Sequence, residues 1–339
     1  MPISRIQQLL TRQEIFHLIQ DDLSRVEKEI RTDSISSVDA ITAIGQYLHG
    51  NGGKRLRPAL LLLAARASSA QDLSGERSDF AIRLGAVVEI IHTATLIHDD
   101  VIDSAEIRRG RPSTNSRWGN HISVLAGDWL YMQAFTLSLR ERSFHILDLL
   151  TNLTQMMVEG ELLQLDHLGK IHLTEEDYFD LVNRKTACLF GVCGRLGAVA
   201  AGASEGIEGL LGDYGWNLGM AFQLVDDILD FTSSAKKLGK PVGSDLREGK
   251  VTLPMILALE HASEAERSRI ARVLEDRSYD SVSLDWVLEL LAKYRGIERA
   301  RQQAERLAEK AREMTAALPE SPYKTALYSV TELVVDRES

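Results

Sequence analysis

Apolar residues recur at three- and four-residue spacing along nearly the whole chain, and runs that alternate apolar with polar are scarce. That period predicts helices over about 5–31, 36–48, 56–69, 77–104, 119–140, 143–167, 175–203, 207–233, 252–262, 264–275, 283–294, 297–316 and 323–335. The segments between them are polar and glycine-rich, as in HGNGGKRLRP, SAEIRRGRPSTNSRWGN and SSAKKLGKPVGSDLREGKVTLP. Several of these helices are apolar on more than one face, so they need neighbours on all sides. A large all-α bundle with central members is the expectation. The stretch 187–203 carries Gly191, Gly194, Gly197 and Gly202. Each costs about 1 kcal/mol of helix stability against alanine, which close approach of a neighbouring helix or a ligand would offset. Residues 297–316 are amphipathic and rich in charge, the pattern of a solvated face over a core. No low-complexity linker divides the chain, and residues 1–339 are expected to form one domain.

Composition narrows the class. Of 339 residues 44% are hydrophobic, enough for a substantial core, and 49 acidic against 39 basic residues give a net charge of −10. That balance argues against a nucleic-acid partner, which needs a basic surface. The only two cysteines, Cys188 and Cys193, fit neither a C-x-x-C metal site nor a disulfide framework. A reduced, cytoplasmic setting is the expectation. The opening MPISRIQQLLTRQEIFHLIQDD lacks a signal-peptide core. The longest apolar run, 187–203, is interrupted by Arg195 and is marginal in length for a bilayer span. The chain reads as soluble.

One pattern occurs twice: TLIHDDVID at 95–103 and FQLVDDILD at 222–230. Positions i and i+4 share a helix face, so Asp99 and Asp103 point together with Asp100 beside them, and Asp226, Asp230 and Asp227 repeat the arrangement. Like charges at this spacing destabilise a helix by a few tenths of a kcal/mol. A solvated helix face would tolerate that, but both copies sit in apolar contexts, where carboxylates need a partner. Hard oxygen donors of this kind suit Mg²⁺, which takes one or two carboxylates and completes its shell with water and phosphate oxygens.

Such a site implies an anionic substrate, and basic residues cluster in the turns. GGKRLRP places Lys54, Arg55 and Arg57 at a helix start, where free N–H groups favour anions. RRGRP gives Arg108, Arg109 and Arg111, and NRKTACLF gives Arg184, Lys185 and Thr186. The loop after the second acidic motif adds Lys236, Lys237, Lys240 and Lys250. Singly, each is more often surface charge than ligand; together they describe a site for two diphosphates. No nucleophile–base pair, G-x-S-x-G, P-loop or Rossmann fingerprint accompanies them. Metal-assisted loss of diphosphate from an allylic carbon, with an apolar wall keeping water from the cation, fits this inventory.

In order along the chain, GGKRLRP, IHTATLIHDDVID with RRGRP, EGELLQL, RKTA, and FQLVDDILD with GKPVGSDLREGK resemble the trans-isoprenyl diphosphate synthases, or polyprenyl synthetases. The resemblance spans about 52–254 and implies an all-α bundle of the isoprenoid synthase type with a central active-site cavity. It implies that Asp99, Asp103 and Asp226, assisted by Asp100, Asp227 and Asp230, hold Mg²⁺ on the allylic diphosphate. Lys54, Arg57, His92 and Arg109 would grip isopentenyl diphosphate. Arg108, Lys185, Gln223 and Lys240 would contact the allylic diphosphate, with Thr186 and Gln223 near the developing cation. His98, beside Asp99, is read as structural. A homodimer is expected from the resemblance, and transient membrane contact would serve release of a detergent-like product. A class I terpene cyclase would lack the GGKRLRP cluster, and a non-catalytic subunit would have lost an acidic motif or the Arg pair.

Residues before Asp99 bear on product length. Thr95, Ile91 and Val88 share its helix face, with Ala94 beside them, and line roughly 16 Å of helix below the acidic motif. In short-chain members of the family a bulky aromatic four or five residues before the first Asp stops elongation. Ala94 and Thr95 are small, which predicts a heptaprenyl-to-decaprenyl product, with Met132 and Phe135 as residues of a deeper floor. A short-chain farnesyl or geranylgeranyl synthase is the nearest alternative.

Overall fold

Helix starts in this chain are written locally. Thr11, Thr174 and Ser263 each close a capping box, their hydroxyls accepting from the N–H of Glu14, Asp177 and Glu266 while those carboxylates take the cap's own N–H. The computed structural model describes residues 9–49, 53–69, 73–108, 110–233 and 241–337. In chain order its helices begin α1 Arg12–Leu18, α2 Gln20–Asp33, α3 Asp39–His49, α4 Leu56–Ser68 and α5 Gly75–Ile102. A two-stranded antiparallel hairpin follows, Ile107 opposite Pro112 and Arg108 opposite Arg111. Then come α6 Thr114–Trp118, α7 Asn120–Leu139, α8 Phe144–His167 and α9 Glu175–Val182, a π-helical turn Asn183–Ala187, α10 Cys188–Ala201 and α11 Glu205–Thr232. Shorter and outer helices complete it: Ser244–Arg247, Leu253–Leu259, Glu264–Asp276, Leu284–Lys293, Gly296–Met314 and Pro322–Val335.

The expected all-α fold is found, with some departures, among them the short helices Thr114–Trp118 and Ser244–Arg247 in segments expected to connect helices. The segment expected at 5–31 breaks at Ile19, whose φ of −125° and ψ of 16° leave the helical region; residues 5–8 lie outside the described residues. The segment 175–203 is interrupted by the π turn and ends at Ala201. There Gly202, at φ +68°, closes a Schellman motif, with Ala203 N–H on Ala198 O at 3.0 Å. Gly202 is therefore a stop and not a helix-interior glycine. The hairpin was not foreseen, because two residues per strand are too few to show alternation.

Packing divides the chain into two compact units, 1–154 with 189–213 and 314–329, and 155–188 with 214–313 and 330–339. Each boundary falls inside a helix rather than in a loop. In the first unit α4 is buried from Pro58 through Ala65 and packs against α5. α5 also packs on α7, where the His98 ring lies over Gly127; a Cβ there would come within 2.2 Å of Nε2. His98 Nε2 also lies 3.1 Å from Val124 O, so this histidine is a packing residue, as expected. Among the described residues α5 is the one helix long and apolar enough to cross a bilayer, and 67% of its apolar window is buried within the protein. In the second unit Met220, Leu224, Val225 and Ile228 of α11 form a core with the wholly buried helix Leu253–Leu259. Helix Gly296–Met314 buries only small residues, Ala300, Ala304, Ala308 and Ala311, and turns its charges outward. That is the solvated face its sequence predicts.

The glycines of α10 do bring helices together. A Cβ on Gly194 would stand 2.0 Å from Leu211 O, and one on Gly197 would stand 2.5 Å from Leu61 O. Gly209, on α11, has nothing within 4 Å of the same position. Gly194→Ala is expected to cost about 1–3 kcal/mol or more through forced separation of backbones. Gly209→Ala should be neutral or stabilising by roughly 0.5–1 kcal/mol. Paired urea melts check the contrast, and equal midpoints for the two variants would contradict it.

Candidate active site

α5 delivers the first acidic motif at its end, where the apolar run stops. Asp103 caps the helix with its N–H on Asp99 O at 2.8 Å, and stands exposed one turn beyond half-buried Asp99. Asp100 turns inward and is 3% exposed. A carboxylate there requires donors, and the hairpin supplies them: Arg108 Nε donates at 2.7 Å and Nη2 lies 2.5 Å from the same Oδ1. Ala105 N–H on Asp100 O at 2.9 Å and Gly110 at φ +75° fold the segment back. Arg108 thus meets an acidic residue of its own motif, while Arg111 is exposed; Arg109 lies outside the described residues.

In the same unit Arg57 Nη1 lies 2.9 Å from His92 Nε2, joining two of the residues assigned to isopentenyl diphosphate. The Arg57 guanidinium lies over the Phe190 ring, 5.3 Å from its centre. Lys54 is exposed at the start of α4. Arg55 differs from its neighbours: at φ 46° it caps α4 and pairs with Glu27 and with Glu89, the latter at 2.6 Å. Its charge serves the fold. Ala94, Ile91 and Val88 are fully buried, and half-buried Thr95 spends its hydroxyl on His92 O at 2.7 Å. The face before Asp99 therefore presents small or aliphatic surface. Met132 is 60% exposed and Phe135 half-buried, so Met132 does not close a buried floor, a correction to the sequence expectation.

The second unit carries the other motif on α11. Asp227 is buried and accepts hydrogen bonds from Tyr178 Oη at 2.6 Å and Gln223 Nε2 at 2.8 Å. Gln223 Oε1 in turn accepts from Thr186 Oγ1 at 3.0 Å, so Gln223 is held at both ends. Burial pushes the Asp227 carboxyl up to about 8, with Asp245 and Asp226 adding to the rise and the Tyr178 and Gln223 bonds opposing it. Asp230, fully buried, takes Ser244 Oγ at 2.9 Å and Asp245 N–H at 3.1 Å, and so pins the segment that follows residue 241. Asp226 alone of the three is substantially open, at 37%, and is ion-paired with Arg337. Lys240, like Lys236 and Lys237, lies outside the described residues.

Lys185 and Thr186 sit in the π turn, where Cys188 N–H reaches back to Asn183 O. The widened turn presses on α8 at Gly160, where a Cβ would be 3.0 Å from Arg184 Cβ and 3.1 Å from Lys185 N. Lys185 Nζ donates to Gln164 Oε1 at 3.0 Å and is ion-paired with Glu161. EGELLQL is thus a cradle: glycine for clearance, then Glu161 and Gln164, three apart on one face, for the lysine. Sequence reasoning singled out the motif without seeing this use, and it missed Tyr178 and Arg337, which carry no local signature.

Among the described residues no three His, Cys, Asp or Glu side chains stand close enough to cage a metal. The donors offered are carboxylates, without thiolate or imidazole. That set fits a hard cation that completes its shell with water and substrate oxygens.

These motifs and this fold have known counterparts. The sequence profile of the polyprenyl synthetase family matches residues 38–291, and the chain belongs to that family. It is 40% identical over 331 residues to octaprenyl diphosphate synthase of Haemophilus influenzae, covering 98% of each chain. Its structure resembles a decaprenyl diphosphate synthase from Rhodobacter capsulatus, with a TM-score of 0.89 at 36% identity over 96% of this chain and 99% of that one. A polyprenyl synthase from Caulobacter crescentus, complexed with calcium and isoprenyl diphosphate, is equally similar in structure: TM-score 0.89, 34% identity, 98% of this chain and 99% of that one.

Tyr178→Phe removes one donor from a buried carboxyl and is expected to cost about 1–3 kcal/mol of stability. Urea unfolding reads this directly, and a wild-type midpoint would show that the bond contributes nothing.

Proposed function

We propose that this chain is a long-chain all-trans polyprenyl diphosphate synthase, one cytoplasmic catalytic domain that makes a heptaprenyl-to-decaprenyl quinone side-chain precursor. The observation that carries the chain length is the buried, small-residue face of α5 before Asp99, with Ala94 and Thr95 where a stopping aromatic would stand. Family membership and the long-chain products named for its relatives support the same reading.

In this reading Asp99, Asp103 and Asp226 would hold Mg²⁺, with Asp100, Asp227 and Asp230 keeping the motifs in place. When bound, the metal would supply Lewis-acid stabilisation of the departing diphosphate. Lys185, cradled by Glu161 and Gln164, together with Arg108 and Lys240, binds the allylic diphosphate, and Lys54, Arg57, His92 and Arg109 bind isopentenyl diphosphate. The C1–O bond of the allylic substrate breaks, and its electron pair leaves with diphosphate. The isopentenyl double bond then attacks C1 and forms the 1′-4 bond, and a proton is lost to the released diphosphate. Gln223, fixed between Thr186 and Asp227, presents its amide dipole near the cation. No protein base is needed.

Homodimerisation belongs to the same proposal. On α7, Ile122, Leu125, Met132 and Leu139 are exposed at spacings that fall on one stripe, an apolar surface suited to a second copy. Transient membrane contact would serve release of the product.

Incubation with farnesyl and isopentenyl diphosphates, followed by product chromatography, tests the chain length. A product of thirty-five to fifty carbons is expected, and a fifteen- or twenty-carbon end product would sink the reading in favour of a short-chain synthase. Ala94→Tyr should shorten the product; unchanged length would show that Ala94 does not face the growing chain. Asp226→Ala should lower turnover by about 100-fold or more, the scale of a lost transition-state charge contact.

A further inference from the structure

Asp226 is the open carboxylate of its motif, and a basic side chain from far along the sequence reaches it. Arg337 Nη1 lies 2.8 Å from Asp226 Oδ1. The guanidinium carbon lies 4.6 Å from the centre of the Phe222 ring, one turn before Asp226 on α11. Arg337 therefore lies along that turn, stacked on the aromatic and with its charge against the carboxylate. It follows helix Pro322–Val335, whose last turn extends through Asp336 N–H on Glu332 O at 2.9 Å. Arg312 ties that helix end down, with Nη2 2.7 Å from Glu332 Oε1 and Nε donating to Thr331 Oγ1 at 3.3 Å. Position, stacking and anchoring are thus all defined.

The contact itself is loosely made. Nη1 is buried, yet no acceptor is aligned with it as a hydrogen bond, so its attraction to Asp226 is one of charge at close range. A buried N–H left without an aligned acceptor opposes the gain from pairing. Arg108 on Asp100 makes the contrast: two donors converge on one buried oxygen in a bond built to persist. Arg337 holds its carboxylate by charge alone.

We propose that Arg337 is a placeholder cation: it neutralises Asp226 while the site is without its divalent metal, and the metal must displace it to bind. The inference rests on Asp226 being a metal carboxylate. An arginine suits the role, since its charge is permanent and its plane can rest on Phe222 when the carboxylate is taken by another cation. The consequence is a weakened affinity for metal alone, set by competition within the protein.

The test is titration of the full chain with Mn²⁺, without diphosphate, with free Mn²⁺ followed by electron paramagnetic resonance. Arg337→Gln should bind Mn²⁺ about threefold or more tightly than wild type, the scale of a partly exposed ion pair. Arg337→Lys, which keeps the charge, should stay near wild type. Asp226→Asn separates the two levels of the argument. If it loses Mn²⁺ binding while Arg337→Gln matches wild type, the placeholder role is overturned. If it binds Mn²⁺ as wild type does, the metal reading of Asp226 fails with it. Arg337→Met, which keeps an apolar stem over Phe222, carries the same expectation should the glutamine variant melt early.

Discussion

A carboxylate taken out of water destabilises a fold by several kcal/mol unless donors meet it. This chain accepts that constraint inside both of its acidic motifs, and much of the local architecture answers to it. Asp100 calls up the hairpin that returns Arg108, Asp227 calls up Tyr178 and Gln223, and Asp230 calls up Ser244 and the Asp245 N–H. Apart from Gln223, which shares α11 with Asp227, these partners come from other elements, so each buried acid also fixes a turn or a helix. The outward carboxylates, Asp99, Asp103 and Asp226, inherit their placement from these inward ones. The three acids of D-D-x-x-D are therefore not equivalent in the fold. It combines acids that build the platform with acids that stand on it.

Much of this was legible in the residues. The 3.6-residue period located the long helices to within a few positions, because amphipathic and buried helices both leave that trace. The glycines of 187–203 announced close helix contacts, and Gly194 and Gly197 make them. The i, i+4 rule placed Asp99 and Asp103 on one face. What stayed hidden had physical reasons. A π turn differs from an α turn by one hydrogen-bond register, and Asn183–Ala187 has no composition that marks it. Tyr178 reaches Asp227 across 49 residues, and Arg337 reaches Asp226 across still more chain, contacts that no local period encodes. Met132, expected with Phe135 at a deeper floor, is turned outward by its helix.

The basic residues differ in how they are paired. GGKRLRP offers three cations within four positions, and the backbone divides them. Arg55, in a left-handed conformation at the helix cap, is consumed by Glu27 and Glu89. Arg57 meets His92 and lies against the Phe190 ring. Lys185 is intermediate, held by one carboxylate and one amide.

The glycine contacts of α10 have a consequence for how such a chain drifts. Gly194 against the Leu211 carbonyl and Gly197 against the Leu61 carbonyl are meetings of main chain with main chain. Such contacts involve no rotamers, so no exchange of one aliphatic side chain for another can lengthen or shorten them. The axes of α4, α10 and α11 are gauged by atoms that every residue shares. Around that fixed gauge the surrounding leucines, valines and isoleucines are free to be reshuffled over generations, so divergence in composition need not become divergence in backbone.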